Sequence, residues 1–257
     1  MTTVAPGTPN WVDLGTSDLE DATRFYTALF GWTAYVSPQP EAGGYTLFRK
    51  GDKTVAGAGP LFTEAQPSAW STYIATDDAD AAARRIAAAG GQVLVAPFDV
   101  MDQGRMAAFL DQAGAPFSVW QPMAMPGADL FTEPGSLSWN ELTTRDPDGS
   151  KAFYRTVFGW EAEDETVGAI IYTTFKLGDR RVAGMLPMVG DEWPADLPPH
   201  WMVYFAVEDT DATAARATEL GGAVPVPPED LPQGRFAVLT DPQGAVFTVI
   251  ALKRTRP

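Results

Sequence analysis

The sequence predicts an α+β protein of four βαβββ modules, arranged as two tandem copies of one larger unit. Three observations predict it. First, the chain repeats itself at an offset of 128 residues. Asn10-Trp11-Val12-Asp13-Leu14 answers Ser138-Trp139-Asn140-Glu141-Leu142, Phe25-Tyr26 answers Phe153-Tyr154, and Phe30-Gly31-Trp32 answers Phe158-Gly159-Trp160. Second, the later blocks also return. The offset slips to 127 at Gly51-Asp52 and Gly178-Asp179, then settles at 130 to 131, where Trp70-Ser71-Thr72-Tyr73 answers Trp201-Met202-Val203-Tyr204. Slips confined to the gaps between blocks are what changes in loop length produce. Third, each unit carries a weaker echo of itself: a strand, an Asp, then a helix occurs at 11–30 and recurs at 71–89.

The elements follow in order. A first strand runs through Trp11 to Leu14. Asp18 opens a helix that Gly31 closes, with Asp as N-cap and Gly at C′. Tyr45-Thr46-Leu47-Phe48 reads as a strand. The strand at Trp70 to Tyr73 begins the second module, whose helix opens at Asp77-Asp78-Ala79 and ends at Gly90-Gly91. Val93-Leu94-Val95 and Phe117-Ser118-Val119-Trp120 are short strands between Gly and Asp turns. The second copy repeats this plan, with Asp146 opening its first helix. The expected domains are 1–122 and 136–257, joined by a Met-, Pro- and Gly-containing linker at 123–135. Modules are expected to pair within each half. Phe25, Tyr26, Phe30, Trp32 and their repeats Phe153, Tyr154, Phe158 and Trp160 recur at helix-and-exit spacing and are expected to pack the core.

Composition excludes several classes. The 257 residues carry 33 acids against 18 bases, a net charge of −15 that repels phosphate backbones and argues against nucleic acid. With no cysteine there are no disulfides, thiolate chemistry or zinc–sulfur sites. No run approaches the ~20 apolar residues of a membrane span, and Met1 to Pro9 lacks the pattern of a secretory signal. A cytoplasmic protein without membrane partners is expected.

The repeated Asp-x-x-x-(Ala/Ser)-x-x-Phe-Tyr, the Phe-Gly-Trp that follows it, and the late Asp241-Pro242-Gln243-Gly244 turn are the residues of a known pattern. In them the chain resembles the vicinal oxygen chelate (VOC) superfamily, which includes glyoxalase I, bleomycin-resistance proteins and extradiol dioxygenases. More narrowly, it is similar to actinobacterial two-domain members labelled hydroxylase or 27-kDa antigen. The resemblance covers about the whole chain and implies two tandem half-barrel domains. It implies function only through the site.

Metalloenzymes of that superfamily hold a divalent ion with His, Glu or Gln. The resemblance places the first ligand seven residues before the helix-opening Asp, at Trp11 and Trp139. The second falls at Ser71 and Met202, and the third at Ser118 and Thr248. Trp and Met offer no hard donor, and isolated hydroxyls are poor substitutes. No metal and no cofactor are therefore expected. The single histidine, His200, follows Pro198-Pro199 two residues before a ligand slot. It reads as a surface or cap residue, with a pocket acid–base role or metal ligation as alternatives.

Strand parity extends the reading. Residues i and i+2 share a face, so Asp13, Glu141, Tyr73, Tyr204 and Trp120 are expected to line the same cavities as the old ligand slots. The first lining is then Trp11, Asp13, Tyr73, Ser118 and Trp120; the second is Trp139, Glu141, Met202, Tyr204 and Thr248, with His200 nearby. Aromatic walls with one acid each suit a flat apolar or cationic ligand. Asp13 and Glu141 are the candidate general bases. The competing structural reading is that the rings fill the barrels and the acids bond to backbone. Gly104-Arg105 and Gly234-Arg235 suggest ion pairs or turns, or arginines reaching an anionic ligand. Gly43-Gly44 is a turn, not a phosphate loop, and no Ser-His-Asp set is available.

Two functions stay open on this reading: sequestration of a small aromatic or polyketide-like molecule, as in antibiotic resistance or biosynthesis, and cofactor-free catalysis by a pocket carboxylate. A metal-dependent lyase or dioxygenase with atypical ligands is the alternative, and an interaction protein with vestigial pockets is the fourth reading. Four modules can complete two barrels in one chain, so a monomer suffices and a dimer is possible.

Overall fold

The computed structural model describes residues 4–63, 66–168, 170–191 and 193–253. The first module is β1 (Pro9–Thr16), α1 (Leu19–Phe30), β2 (Thr33–Val36), β3 (Thr46–Lys50) and β4 (Lys53–Pro60). The second is β5 (Ala69–Ala75), α2 (Ala79–Ala88), β6 (Gln92–Val100), β7 (Gly104–Leu110) and β8 (Pro116–Pro122). The third is β9 (Ser136–Thr144), α3 (Pro147–Phe158), β10 (Glu161–Val167), β11 (Ile170–Leu177) and β12 (Arg180–Pro187). The fourth is β13 (His200–Ala206), α4 (Thr210–Glu219), β14 (Ala223–Asp230), β15 (Gly234–Thr240) and β16 (Val246–Leu252). Each module is βαβββ, so the predicted α+β plan holds.

All four helices begin in the same way. Asp18, Asp78, Asp146 and Asp209 each accept the backbone N–H three residues on, at 2.8 to 3.0 Å. This satisfies a donor that the helix itself leaves unpaired. Gly31 and Gly159 end α1 and α3 in the left-handed region, with φ of 68° and 74°.

The strands form two eight-stranded sheets, ordered β2-β3-β4-β1-β5-β8-β7-β6 and β10-β11-β12-β9-β13-β16-β15-β14. Within a module the last three strands form an antiparallel meander, and the helix crossover makes the first strand parallel to the last. Modules of one half therefore share a sheet. The cores divide differently. Two compact units each draw one module from either half: Met1–Trp11, Thr72–Gly127 and Asn140–Met202 form the first, and Val12–Ser71, Ala128–Trp139 and Val203–Pro257 the second. In the second unit Val12, Leu14, Phe25, Tyr26 and Phe48 of the first module bury against Phe205, Phe247 and Val249 of the fourth. In the first unit Ile74, Phe109 and Phe117 bury against Phe153, Tyr154 and Trp160. The aromatics expected in the core pack there or against it.

The same buried chain of hydrogen bonds closes each unit. Trp70 Nε1 donates to Tyr26 Oη at 2.9 Å, and Tyr26 donates to Asp241 at 3.0 Å. The other Asp241 oxygen accepts the N–H groups of Gln243 and Ala245. In the first unit Trp201 donates to Tyr154, Tyr154 donates to Asp111, and Asp111 accepts Ala113 and Ala115. The Phe-Tyr motif of one module is thus the partner of the Asp-x-x-Gly turn of another.

Burial pushes both carboxyls above the usual 3.8, against the N–H and phenol donors that hold them down. A raised folded pKa means that the native state holds its proton more tightly than the unfolded chain. This contribution is therefore fully present below the unfolded pKa, about 3.9, and is lost as pH rises through the folded values. Thermal unfolding across that window should show this loss in the parent protein. Asp111→Asn with Asp241→Asn should lack it, and identical pH profiles would refute the assignment.

Among the described residues no helix is long and apolar enough to cross a membrane.

Candidate functional site

Two carboxylate–tyrosine pairs stand on the sheet faces turned away from the cores. On β1, Val12 and Leu14 enter the core of the second unit, so Asp13 between them points to the other face. On β9, Leu142 enters the core of the first unit, so Glu141 beside it points the other way. Tyr45, just ahead of β3, donates its phenol to Asp13 Oδ2 at 3.0 Å. Tyr172 on β11 donates to Glu141 Oε2 at 2.8 Å.

Glycine makes this reach possible. Asp13 lies opposite Gly57 in the parallel β1–β4 ladder, and Glu141 lies opposite Gly184 in β9–β12. The strand between acid and tyrosine carries no side chain at that step. In the first pair Gly59 adds room, since a Cβ there would stand 3.1 Å from the Tyr45 ring. A carboxylate held by a phenol can accept a proton, while the phenol can give one to a developing oxyanion.

The other candidates occupy the same faces. Tyr73 pairs in register with Ser118 on β8, and Tyr204 with Thr248 on β16. Their strand neighbours Ile74, Phe117 and Val119, and Val203, Phe205, Phe247 and Val249, enter the two cores. Trp11 shares the Asp13 side of β1, Trp139 the Glu141 side of β9, and Met202 the Tyr204 side of β13. Trp11, Tyr73, Ser118 and Trp120 are buried, whereas Trp139, Met202 and Tyr204 are partly exposed. Trp120 is pinned. Its indole N–H donates to Met125 O at 2.8 Å, and its ring lies where a Cβ on Gly104 would have to go. Gly104→Ala is expected to cost about 1–3 kcal/mol through overpacking, read as a lowered unfolding midpoint. An unchanged midpoint would show that Trp120 has room to move.

His200 is the first residue of β13 rather than a loop residue, and its Nδ1 lies 2.9 Å from Pro198 O. Arg105 pairs with Asp80 at 2.9 Å and Asp99 at 2.8 Å, and Arg235 with Asp211 at 2.6 Å and Asp230 at 3.3 Å. Both arginines thus serve the ion-pair reading. The residues that sequence reasoning missed are Tyr45 and Tyr172. The repeat carried the signal, because Tyr45-Thr46-Leu47-Phe48 answers Tyr172-Thr173-Thr174-Phe175 at offset 127.

The model of the Glyoxalase/Bleomycin resistance protein/Dioxygenase superfamily matches this chain twice, at residues 8–119 and 136–249. The chain belongs to this superfamily. Among its VOC relatives is the anthracycline biosynthesis protein DnrV of Streptomyces peucetius, 43% identical over 273 residues, covering 100% of this chain and 98% of that protein. Another is CFP32 of Mycobacterium tuberculosis, provisionally named a glyoxylase, 45% identical over 252 residues, covering 95% of this chain and 94% of that protein. Solved VOC structures share the fold at low identity. The Mn(II)-bound glyoxalase from Novosphingobium aromaticivorans has a TM-score of 0.66 at 19% identity, covering 96% of this chain and 83% of that chain. The 2,3-dioxygenase LapB from Pseudomonas sp. KL28 has a TM-score of 0.67 at 12% identity, covering 100% and 96%.

A VOC metal centre needs several hard or imidazole donors around one ion. Among the described residues no three His, Cys, Asp or Glu side chains group to hold one. The slots assigned by resemblance carry Trp11, Ser71 and Ser118 in one half, and Trp139, Met202 and Thr248 in the other. This donor set does not fit a metal.

Proposed function

We propose that this VOC protein binds a small planar aromatic, polyketide-like molecule and handles a proton on it with Asp13–Tyr45 or Glu141–Tyr172. The observation that carries the reading is the pair itself: a carboxylate and a phenol at 3.0 and 2.8 Å, built twice from repeated residues on the faces away from the cores. The carboxylate would take a proton from carbon or oxygen, and the phenol would steady the charge that develops. Isomerisation, cyclisation or hydration needs no more than this. The names of two relatives, DnrV and the 42% identical DauV, both place them in anthracycline biosynthesis and support an aromatic polyketide as the class. The test is to offer planar polyketides to the parent protein and to Asp13→Asn with Glu141→Gln, following binding and products separately. Products lost with binding kept would support catalysis. Binding with no product from either protein would make it a carrier, and no binding at all would sink the proposal.

A further inference from the structure

We infer that the two duplicated faces are not equivalent and that the second-half face, through Trp139 and Tyr204, takes one neutral planar ligand per chain. This rests on the aromatic-ligand reading above.

The repeat aligns Trp11 with Trp139 and Tyr73 with Tyr204. The first pair is shut away: Trp11 is 2% exposed and Tyr73 6%, with Ser118 at 6% and Trp120 at 5% beside them. A ring with so little surface cannot stack on an incoming molecule unless its neighbours repack. Trp120 is also fixed, by its bond to Met125 O and by the glycine beneath it. Its counterpart in the repeat is the smaller Ile250. Trp139 and Tyr204, both in the second unit, keep part of their surface.

A second observation marks the same face. Thr248, the register partner of Tyr204, is fully buried, and its Oγ1 has no hydrogen-bond partner among the described residues. An orphaned buried hydroxyl is costly within the fold, and a partner from outside the chain would relieve that cost. Thr248 has no accessible surface, so a ligand oxygen reaches it only when a side chain on that face moves aside. Ser118, its counterpart, is not orphaned in this way. The net charge of −15 favours a neutral or cationic ring system over an anionic one.

The probe is 1-hydroxyanthraquinone, which stays neutral at pH 7 because its hydroxyl is hydrogen-bonded to the neighbouring carbonyl, titrated into the intact chain by calorimetry and by tryptophan fluorescence. One site per chain is expected. Trp139→Ala should weaken binding about tenfold or more, and Trp139→Phe, which keeps a ring, should weaken it less. Trp193→Phe is the control, because Trp193 is also partly exposed but lies outside every strand; its affinity should be unchanged. Thr248→Val should keep the fold and weaken binding by roughly three- to tenfold. Two equivalent sites per chain, or a single site indifferent to both Trp139 variants, would overturn the inference while leaving an aromatic-binding protein. No saturable binding of this probe or of other planar aromatics would overturn the broader proposal, and this inference with it.

Discussion

Asp241→Ala is expected to destabilise the protein by about 3 kcal/mol or more, and Asp111→Ala by a similar amount. Each carboxylate is buried and answers three donors: a phenol and two backbone N–H groups. Alanine leaves those donors in the interior without a partner, at about 1–3 kcal/mol for each group that cannot find water. For a chain of this size a loss of 3 kcal/mol corresponds to a midpoint lower by roughly 6–12 °C. Tyr26→Phe should cost less, because it removes one link and keeps the ring against Phe25, Phe48, Trp70 and Phe247. The graded series separates the carboxylate's role from simple packing. Equal losses for Asp241→Ala and Tyr26→Phe would mean that the backbone donors find other partners. Each chain of bonds joins modules from opposite halves, so the damage is also expected to spread through the whole compact unit.

Replacing Asp13 by Asn and Glu141 by Gln together should lower turnover of a planar polyketide by about 10²- to 10⁴-fold, the usual worth of a general base, while leaving the fold and ligand affinity near the parent. The amides are isosteric and can still accept the phenol hydrogen bonds of Tyr45 and Tyr172. What they lose is the ability to hold a proton. The single variants carry further information. If one face does the work, one substitution accounts for nearly the whole loss and the other is silent. Turnover unchanged in the double variant would falsify the catalytic role and leave both carboxylates as structural partners of their tyrosines.

Much of the architecture is legible in the sequence. The repeat at 128 residues set the module count, and Asp18, Asp78 and Asp146 marked three of the four helix starts now seen as caps. Parity along β1, β5, β8, β9, β13 and β16 placed the candidate residues on the faces away from the cores, because alternation in a strand is a local property of the backbone. The Phe-Tyr and Asp-x-x-Gly motifs were visible as motifs. That they bond to each other was not, because Tyr26 and Asp241 are 215 residues apart.

The candidate site was legible in part. Strand position marks Asp13 and Glu141 as candidates, but it does not reveal the tyrosines that meet them. Pairing Tyr45 with Asp13 needs the order of β3, β4 and β1 and a glycine in the middle strand, and strand order is set by long-range packing rather than by local pattern. The difference between Trp11 and Trp139 was equally hidden. Their strands read alike, and exposure depends on what the rest of the chain lays over each ring. The sequence by itself determined the modules, their caps and the face that each side chain takes, because these rest on periods of two and of 3.6 residues and on near-neighbour hydrogen bonds. Only the tertiary structure decided which module shares a core with which, which tyrosine meets which acid, and which of two duplicated faces stays open, because those depend on contacts between residues far apart in the chain.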